Sequence, residues 1–570
     1  MAASPQPTHP TKPMNRRQFL GTSALAVVAG ASSTAVTSAA SASTSTAQIS
    51  TGQPRDATSP PPRPFRTRSF SLEEATLTQL QQGLAAGAHS SLSLTRAYLR
   101  RIEELDRQGP TLRSVIELNP DAEAIARQLD SERKAGRVRG PLHGIPVLVK
   151  DNLDTHDRMV TSAGSLALEQ SHPARDSFVV ARLREAGAVL LGKTNLSEWA
   201  NFRGSNSISG WSGRGGLTRN PYVLDRNPSG SSSGTGAAVS ANLCAVGIGT
   251  ETDGSITSPS NVNGLVGIKP TVGLVSRAGI VPISSSQDTA GPMCRSVRDA
   301  AIVLGVIAGR DPRDPATSAI PSDLSLDFTA GLDSQSLRGA RLGVVREYFS
   351  FHPAVERLMN GVLDHLKELG AELIDPVELP EAGARDRAEF EVLLYEFKAG
   401  LNAYLGGLPE SGPVRTLADV IAFNEAHRDR ELAWFGQETM IKAEARGPLT
   451  EAAYRDAVAT CRRVSRVEGI DAVMAKHRLD ALIAPTGGPA WMTDTLTGDS
   501  GVGGSTTPAA VAGYPSVTVP ATLWRGLPLG LSFFGTAWSE ARLLRLAHAF
   551  ELAVGARRAP LFYPTLPVGG

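Results

Sequence analysis

Two turns of small residues and one lysine are the parts of this chain whose types and spacing could do chemistry. The first turn is Asn227-Pro228-Ser229-Gly230-Ser231-Ser232-Ser233-Gly234-Thr235-Gly236, and the second is Gly249-Thr250-Glu251-Thr252-Asp253-Gly254-Ser255-Ile256. The lysine closes an apolar run in Gly144-Ile145-Pro146-Val147-Leu148-Val149-Lys150-Asp151-Asn152. A nucleophilic serine must stand on a tight turn, where its oxygen meets a carbonyl carbon and nearby backbone N–H groups face the developing oxyanion. Thr252-Asp253-Gly254-Ser255 suits that task, because Gly254 lets the backbone bend without a Cβ in the way. The backbone N–H groups of Thr252, Asp253 and Gly254, with that of Ser255, are the candidate oxyanion donors. Lys150 is the candidate base. An amine carried into a dry site at a strand end is pushed below the usual lysine value of about 10.4 by desolvation and by neighbouring cations. The plainer alternative is a lysine paired with Asp151. Together these parts point to cleavage of an unactivated acyl bond, an amide above all, without a histidine base, a metal or a cofactor.

Other patterns carry less. Gly230-Ser231-Ser232-Ser233-Gly234 fits G-x-S-x-G centred on Ser232, but Arg226-Asn227-Pro228-Ser229 before it is not a strand, and that motif needs strand, turn and helix. Ser131-Glu132-Arg133-Lys134 fits S-x-x-K only formally, in a charged helical stretch without a companion K-T-G. His143 is read as a packing or hydrogen-bonding residue. Trp199, Phe202 and Trp211 fall between the motifs, where they either line an acyl pocket or fill the core. Cys244, Cys294 and Cys461 are the only cysteines, with no CxxC pair, and are read as small buried hydrophobes.

The elements that must position these residues alternate. Apolar spacing predicts helices over Leu72 to Gln82, Leu94 to Arg107 and Asp121 to Lys134. Strand-type runs follow at Ile145 to Val149, Ala188 to Gly192 and Val246 to Thr250, with helices at Ser177 to Ala186, Ala237 to Ala245 and Val297 to Ala308 between and after them. Further strands are expected at Leu342 to Val345, Ala481 to Pro485, Ser516 to Pro520 and Leu529 to Phe534, and a closing helix at Glu540 to Val554. Such alternation argues for an α/β core with a mixed sheet. Residues 354–370 and 387–478 are helix-rich and more charged, as a cap over the sheet would be.

The 570 residues carry a formal net charge of only +1, with 41% hydrophobic and 20% charged residues, which removes the electrostatic case for nucleic acid or an anionic membrane. Asn15-Arg16-Arg17-Gln18-Phe19-Leu20 precedes a short apolar run, and Ala40-Ser41-Ala42 offers a cleavage site. This is a twin-arginine signal pattern, and its apolar run is shorter than the roughly 20 residues of a membrane span. The expected organisation is a signal over 1–42, a flexible Ser/Thr/Pro linker over 43–68 and one catalytic domain over 69–566, with a helix-rich cap at about 350–478. Export makes the protein periplasmic or extracellular, with no membrane partner beyond the export machinery.

The lysine motif and the two turns, in that order, resemble the amidase signature family over about residues 70–565. Within it, Thr250 to Ser255 and Glu396-Phe397-Lys398-Ala399-Gly400-Leu401-Asn402 are similar to the bacterial peptide-amidase branch. The resemblance implies an amidase signature fold, a mixed twisted β-sheet core surrounded by α-helices. It implies Ser255 as nucleophile, Ser231 as bridging serine and Lys150 as base, with a cis bond at Gly230–Ser231. The family's serines are 24 positions apart, as are Ser231 and Ser255, which leaves Ser232 and Ser233 as turn-stabilising hydroxyls. It further implies a small amide or peptide-amide substrate, no cofactor, and an acyl-enzyme. Asp253 departs from the glycine of many members, and either shapes the turn or faces an amide N–H, with turn capping as the plainer role; Thr257 stands where many members have an arginine, which, with the export signal, argues against an acidic substrate and a tRNA amidotransferase subunit. The rival expectations are an aryl-acylamidase or esterase of the same family, and a non-catalytic periplasmic binding protein.

Overall fold

The computed structural model describes residues 62–409 and 412–567. The twin-arginine pattern, the cleavage site and the linker as far as residue 61 lie outside the described residues, and residues 62–68 form neither helix nor strand.

Thirteen strands form among the described residues: β1 Val115–Leu118, β2 Pro146–Lys150, β3 Val189–Thr194, β4 Trp211–Ser212, β5 Gly216–Leu217, β6 Val246–Glu251, β7 Val266–Lys269, β8 Thr289–Cys294, β9 Arg341–Val345, β10 Glu372–Val377, β11 Ala481–Pro485, β12 Ser516–Trp524 and β13 Leu527–Phe534. Eleven make one sheet in the order β1-β3-β2-β6-β8-β7-β12-β13-β11-β9-β10, while β4 and β5 pair separately. The β3-β2-β6 group and the β11-β9-β10 group are parallel. The strands between them are antiparallel, so the sheet is mixed as expected. Strands β2, β3, β6, β7, β8, β11 and β13 are buried along their whole length, which explains their near-continuous apolar or small-residue runs.

Parallel pairing of β2 with β6 has one consequence for chemistry. Both strands end at the same edge of the sheet, where Lys150 closes β2 and the second turn leaves β6. The first turn reaches that edge through the helix Ser233–Ser240, which is buried throughout. Its glycines and alanines let it lie almost on the strand: a Cβ on Gly247 of β6 would stand 2.6 Å from the Thr235 methyl and 2.8 Å from a Val239 methyl. The sequence pattern places this helix four residues later than observed, because its first turn is Ser-Gly-Thr-Gly and lacks apolar periodicity.

The helix-rich stretch over about 350–478 contains one strand as well, β10, at the sheet edge beside β9. The rest is helical. The helix Ala382–Gly406 and those after it enclose a separate core, with Leu393, Leu394, Phe397, Leu401, Leu417 and Met440 packed on Trp199 and Phe202. Trp199 and Phe202 therefore seat the helical layer on the segment that follows β3.

Candidate active site

Lys150 Nζ lies 2.7 Å from Ser231 Oγ and donates to Thr250 Oγ1 at 2.8 Å and to the Thr250 carbonyl at 3.3 Å. The lysine is fully buried, and burial brings its pKa down to about 7. The nearby charges, Asp288 and Glu251, pull it upward. The sequence expectation of cations helping to neutralise the amine is corrected here: dehydration works alone, against two carboxylates. Nor is Lys150 paired with Asp151. That carboxylate turns away to Ser162, with Arg214 at 3.6 Å. Asn152 joins the lysine's circle by donating to Thr250 Oγ1 at 3.0 Å.

The first turn carries Ser231 on a cis Gly230–Ser231 peptide bond, as the resemblance implies. Its carbonyl accepts from Ser197 N at 3.1 Å. Ser232 stitches the two turns together: its Oγ donates to the Thr250 carbonyl at 3.1 Å and accepts from Thr250 N at 3.2 Å, while its own N–H donates to the Ser255 carbonyl at 3.2 Å. Ser233 opens the helix and meets Ser197 Oγ at 3.3 Å. Ser232 and Ser233 thus have the structural roles expected of them, and no strand precedes them.

Ser255 sits in the second turn with its side-chain oxygen free of hydrogen bonds among the described residues. It is 8% exposed, whereas Lys150 and Ser231 are at 0%, so solvent reaches this serine and not the other two. Gly254 holds φ at +80°, a conformation its lack of a Cβ permits. The turn is fixed on several sides. Glu251 accepts from Ile256 N at 2.8 Å and Thr257 N at 2.9 Å, starting the helix Thr257–Val262. Thr252 Oγ1 donates to Asp288 at 2.6 Å, and Gln287 Nε2 donates to the Thr252 carbonyl at 3.3 Å and to Glu389 of the helical layer at 3.0 Å. Ser258 N donates to the Gly254 carbonyl at 2.7 Å.

These carbonyl contacts orient the opposite ends of the same peptide units. In a trans peptide the C=O and N–H point apart, so holding the carbonyls of Thr252 and Gly254 from one side turns the N–H groups of Asp253 and Ser255 to the other. Among the described residues, the N–H groups of Asp253, Gly254 and Ser255 make no hydrogen bond. Successive unpaired N–H groups at a turn form a cradle for an anion.

Burial dominates the electrostatics around the turn. It pushes Asp288 up to about 6 and raises Glu251, which Lys269 pulls back; Lys269 is itself buried and lowered to about 8. His143 is buried outside this circle. One ring nitrogen meets the Leu129 carbonyl at 3.0 Å and the other accepts from Arg139 N at 3.2 Å, which is the hydrogen-bonding role expected. Trp199, Phe202 and Trp211 are all buried. Sequence reasoning missed Asn152, Gln287, Asp288 and Glu389 as neighbours of the site. The signal that marks Asn152 is its adjacency to Lys150, while the other three lie on segments with no recognisable pattern.

Comparison with known proteins shows the family. The model of the Amidase family matches residues 93–544. A probable amidase of Arabidopsis thaliana is 43% identical over 506 residues, covering 87% of this chain and 93% of that one. The native peptide amidase from Stenotrophomonas maltophilia superposes with a TM-score of 0.82 at 54% identity, covering 87% of this chain and all of that one. A structure of the peptide amidase PAM with the competitive inhibitor chymostatin gives 0.84 at 55% identity, covering 86% of this chain and all of that one. A family match across most of the chain, and a shared fold at more than half identity, lead to one conclusion: the chain belongs to the amidase signature family.

Proposed function

We propose that this amidase removes the C-terminal amide of peptides, or of closely related carboxamides, through a covalent acyl-enzyme on Ser255, with Ser231 as proton relay and Lys150 as base. The observation that carries the reading is the contact pattern of Lys150. A neutral amine has two N–H donors and one lone pair. Thr250 Oγ1 and the Thr250 carbonyl use the two donors, and the lone pair is left for the Ser231 hydroxyl at 2.7 Å.

Each proton then has a place to go. Lys150 Nζ takes the Ser231 proton as Ser231 Oγ takes that of Ser255, and Ser255 Oγ bonds to the carbonyl carbon. The carbonyl electrons move onto oxygen, where the N–H groups of residues 252–255 receive the charge. Each such donor is worth about 3–4 kcal/mol at the transition state. When the tetrahedral centre collapses, the C–N bond breaks and the relay returns a proton to nitrogen, releasing ammonia. Water attacks the ester by the same route in reverse. The likeness to a peptide amidase supports the choice of substrate class.

The test is ammonia release from a panel of peptide amides, run beside acetanilides and simple esters, for the parent and for Ser255→Ala. Turnover of the peptide amides that disappears in Ser255→Ala is the expected result. Preference for anilides would move the assignment to an aryl-acylamidase, and normal turnover by Ser255→Ala would remove the nucleophile.

A further inference from the structure

The second turn is also gripped by a distant segment. Thr506 Oγ1 donates to one oxygen of the Asp253 carboxylate at 2.6 Å, and Thr507 Oγ1 donates to the other at 2.7 Å, across 253 and 254 residues of chain. Thr506 reaches the next residue as well, since a Cβ on Gly254 would stand 3.1 Å from its Oγ1. The threonines stand on a fixed base. Thr507 begins the helix Thr507–Ala512, whose remaining residues are buried. The preceding Ser505 is tied to the end of β11, with Ser505 Oγ donating to the Pro485 carbonyl at 2.8 Å and Ser505 N to the Thr486 carbonyl at 3.2 Å.

We propose that Thr506 and Thr507 are positioning residues for the reaction: by holding both oxygens of the Asp253 carboxylate, they keep that group out of the oxyanion cradle and fix the peptide units that form it. The proposal rests on the reading of Ser255 as nucleophile. A carboxylate beside three unpaired N–H groups is itself an anion suited to them. Released from the hydroxyls, it would turn onto its own turn's N–H groups, as aspartate side chains do in Asx-turns. It would then occupy the place needed by the oxyanion and repel the charge that develops there. Gln287 and Ser258 hold the carbonyl side of the turn, whereas the two threonines hold the carboxylate next to the unpaired N–H groups; the turn's other carboxylate, Glu251, is already engaged by Ile256 N and Thr257 N.

The threonines touch no reacting atom, so the test must separate positioning from general stability. In the double variant Thr506→Val, Thr507→Val, which keeps the side-chain shape and deletes both hydroxyls, we expect kcat to fall about ten- to hundredfold with KM within about twofold, in line with the sensitivity of catalysis to small displacements. Affinity for a peptide aldehyde, which forms a tetrahedral adduct with a serine, should fall in parallel with kcat/KM. The double serine variant, Thr506→Ser, Thr507→Ser, should recover most of both. If the double valine variant does not fold, Thr507→Val alone, which spares the contact to Gly254, should show the same pattern at smaller size. Parental kcat in the valine variant that folds, or a loss that serine does not restore, overturns the proposal. Normal turnover by Ser255→Ala would sink the underlying reading instead, whatever the threonine variants do.

Discussion

With Lys150 as the proposed base, its charge state governs the pH behaviour of the reaction. Only its neutral form accepts a proton, and burial holds its pKa at about 7. Activity should therefore rise with pH through about 7, which a kcat/KM profile on a neutral peptide amide will read; a profile flat from pH 5 to 9 would exclude the lysine as base. The same shift has a stability side. A lysine at about 7 when folded and about 10.4 when unfolded binds fewer protons in the folded state between those values. Its cost is therefore complete below pH 7, declines as the pH climbs through the window, and is gone above the upper value. Lys150→Met should be inactive yet melt above the parent at pH 6, with the gap closing towards pH 10. A Lys150→Met protein less stable than the parent at pH 6 would contradict that sign. At this scale much was legible in the sequence. Lys150 ends an apolar run, and the spacing of the serines selects Ser231 by resemblance. Asp288 and Gln287 were not, because they act on the turn through folded geometry and carry no local signature.

At the scale of elements, the site is made by two parallel strands ending together and two tight turns sewn to one another by Ser232. Gly254 is the residue on which the second turn depends. With φ at +80° and Thr506 Oγ1 only 3.1 Å from where a Cβ would stand, Gly254→Ala meets both backbone strain and contact. We expect it to cost about 1–3 kcal/mol of stability and to lower kcat by at least tenfold while the circular dichroism spectrum stays that of the parent. A Gly254→Ala enzyme with parental kcat would show that the turn tolerates another shape. The strands β2, β6, β11 and β13 were readable because buried strands are apolar runs. By contrast, β7 is only Val-Gly-Ile-Lys and β8, Thr-Ala-Gly-Pro-Met-Cys, holds glycine and proline among few large apolar residues, so their place in the sheet rests on pairing with neighbours rather than on pattern.

For the whole molecule, the helical layer is joined to the sheet-borne site at a buried charge cluster. The Arg203 guanidinium carbon lies 4.9 Å from the Trp211 ring and 3.9 Å from the Phe435 ring, which meet each other edge to face, and Arg203 donates to Glu198 at 2.6 Å and to the Phe435 carbonyl at 3.0 Å. Glu431 stands 3.7 Å away, and all three charged side chains are fully buried. Burial, and then the nearby Glu431, push Glu198 well above the usual carboxylate range against the pull of Arg203. Removing only the cation leaves two carboxylates without compensation. Arg203→Met should therefore destabilise by about 3–5 kcal/mol, measured by denaturant unfolding, and the loss should deepen as the pH rises and Glu198 is forced to ionise. Stability unchanged at pH 8 would show that the cluster does not fasten the layers. Nothing in the sequence marks Glu431 as a partner of Glu198, since 233 residues separate them and neither lies in a motif.

The helical layer keeps a core of its own and meets the sheet side at Trp199 and Phe202, at this buried cluster, and through hydrogen bonds such as Gln287 to Glu389 and Tyr404 to Asp154. The amine and the two hydroxyls, by contrast, are set by strands and turns on the other side of that boundary. An architecture divided this way lets one half drift while the other stands still. Changes within the helical layer can then leave in place the burial that lowers Lys150. Grafting a relative's helical layer along that seam, with the Arg203 cluster retained, is accordingly the economical route to altered selectivity.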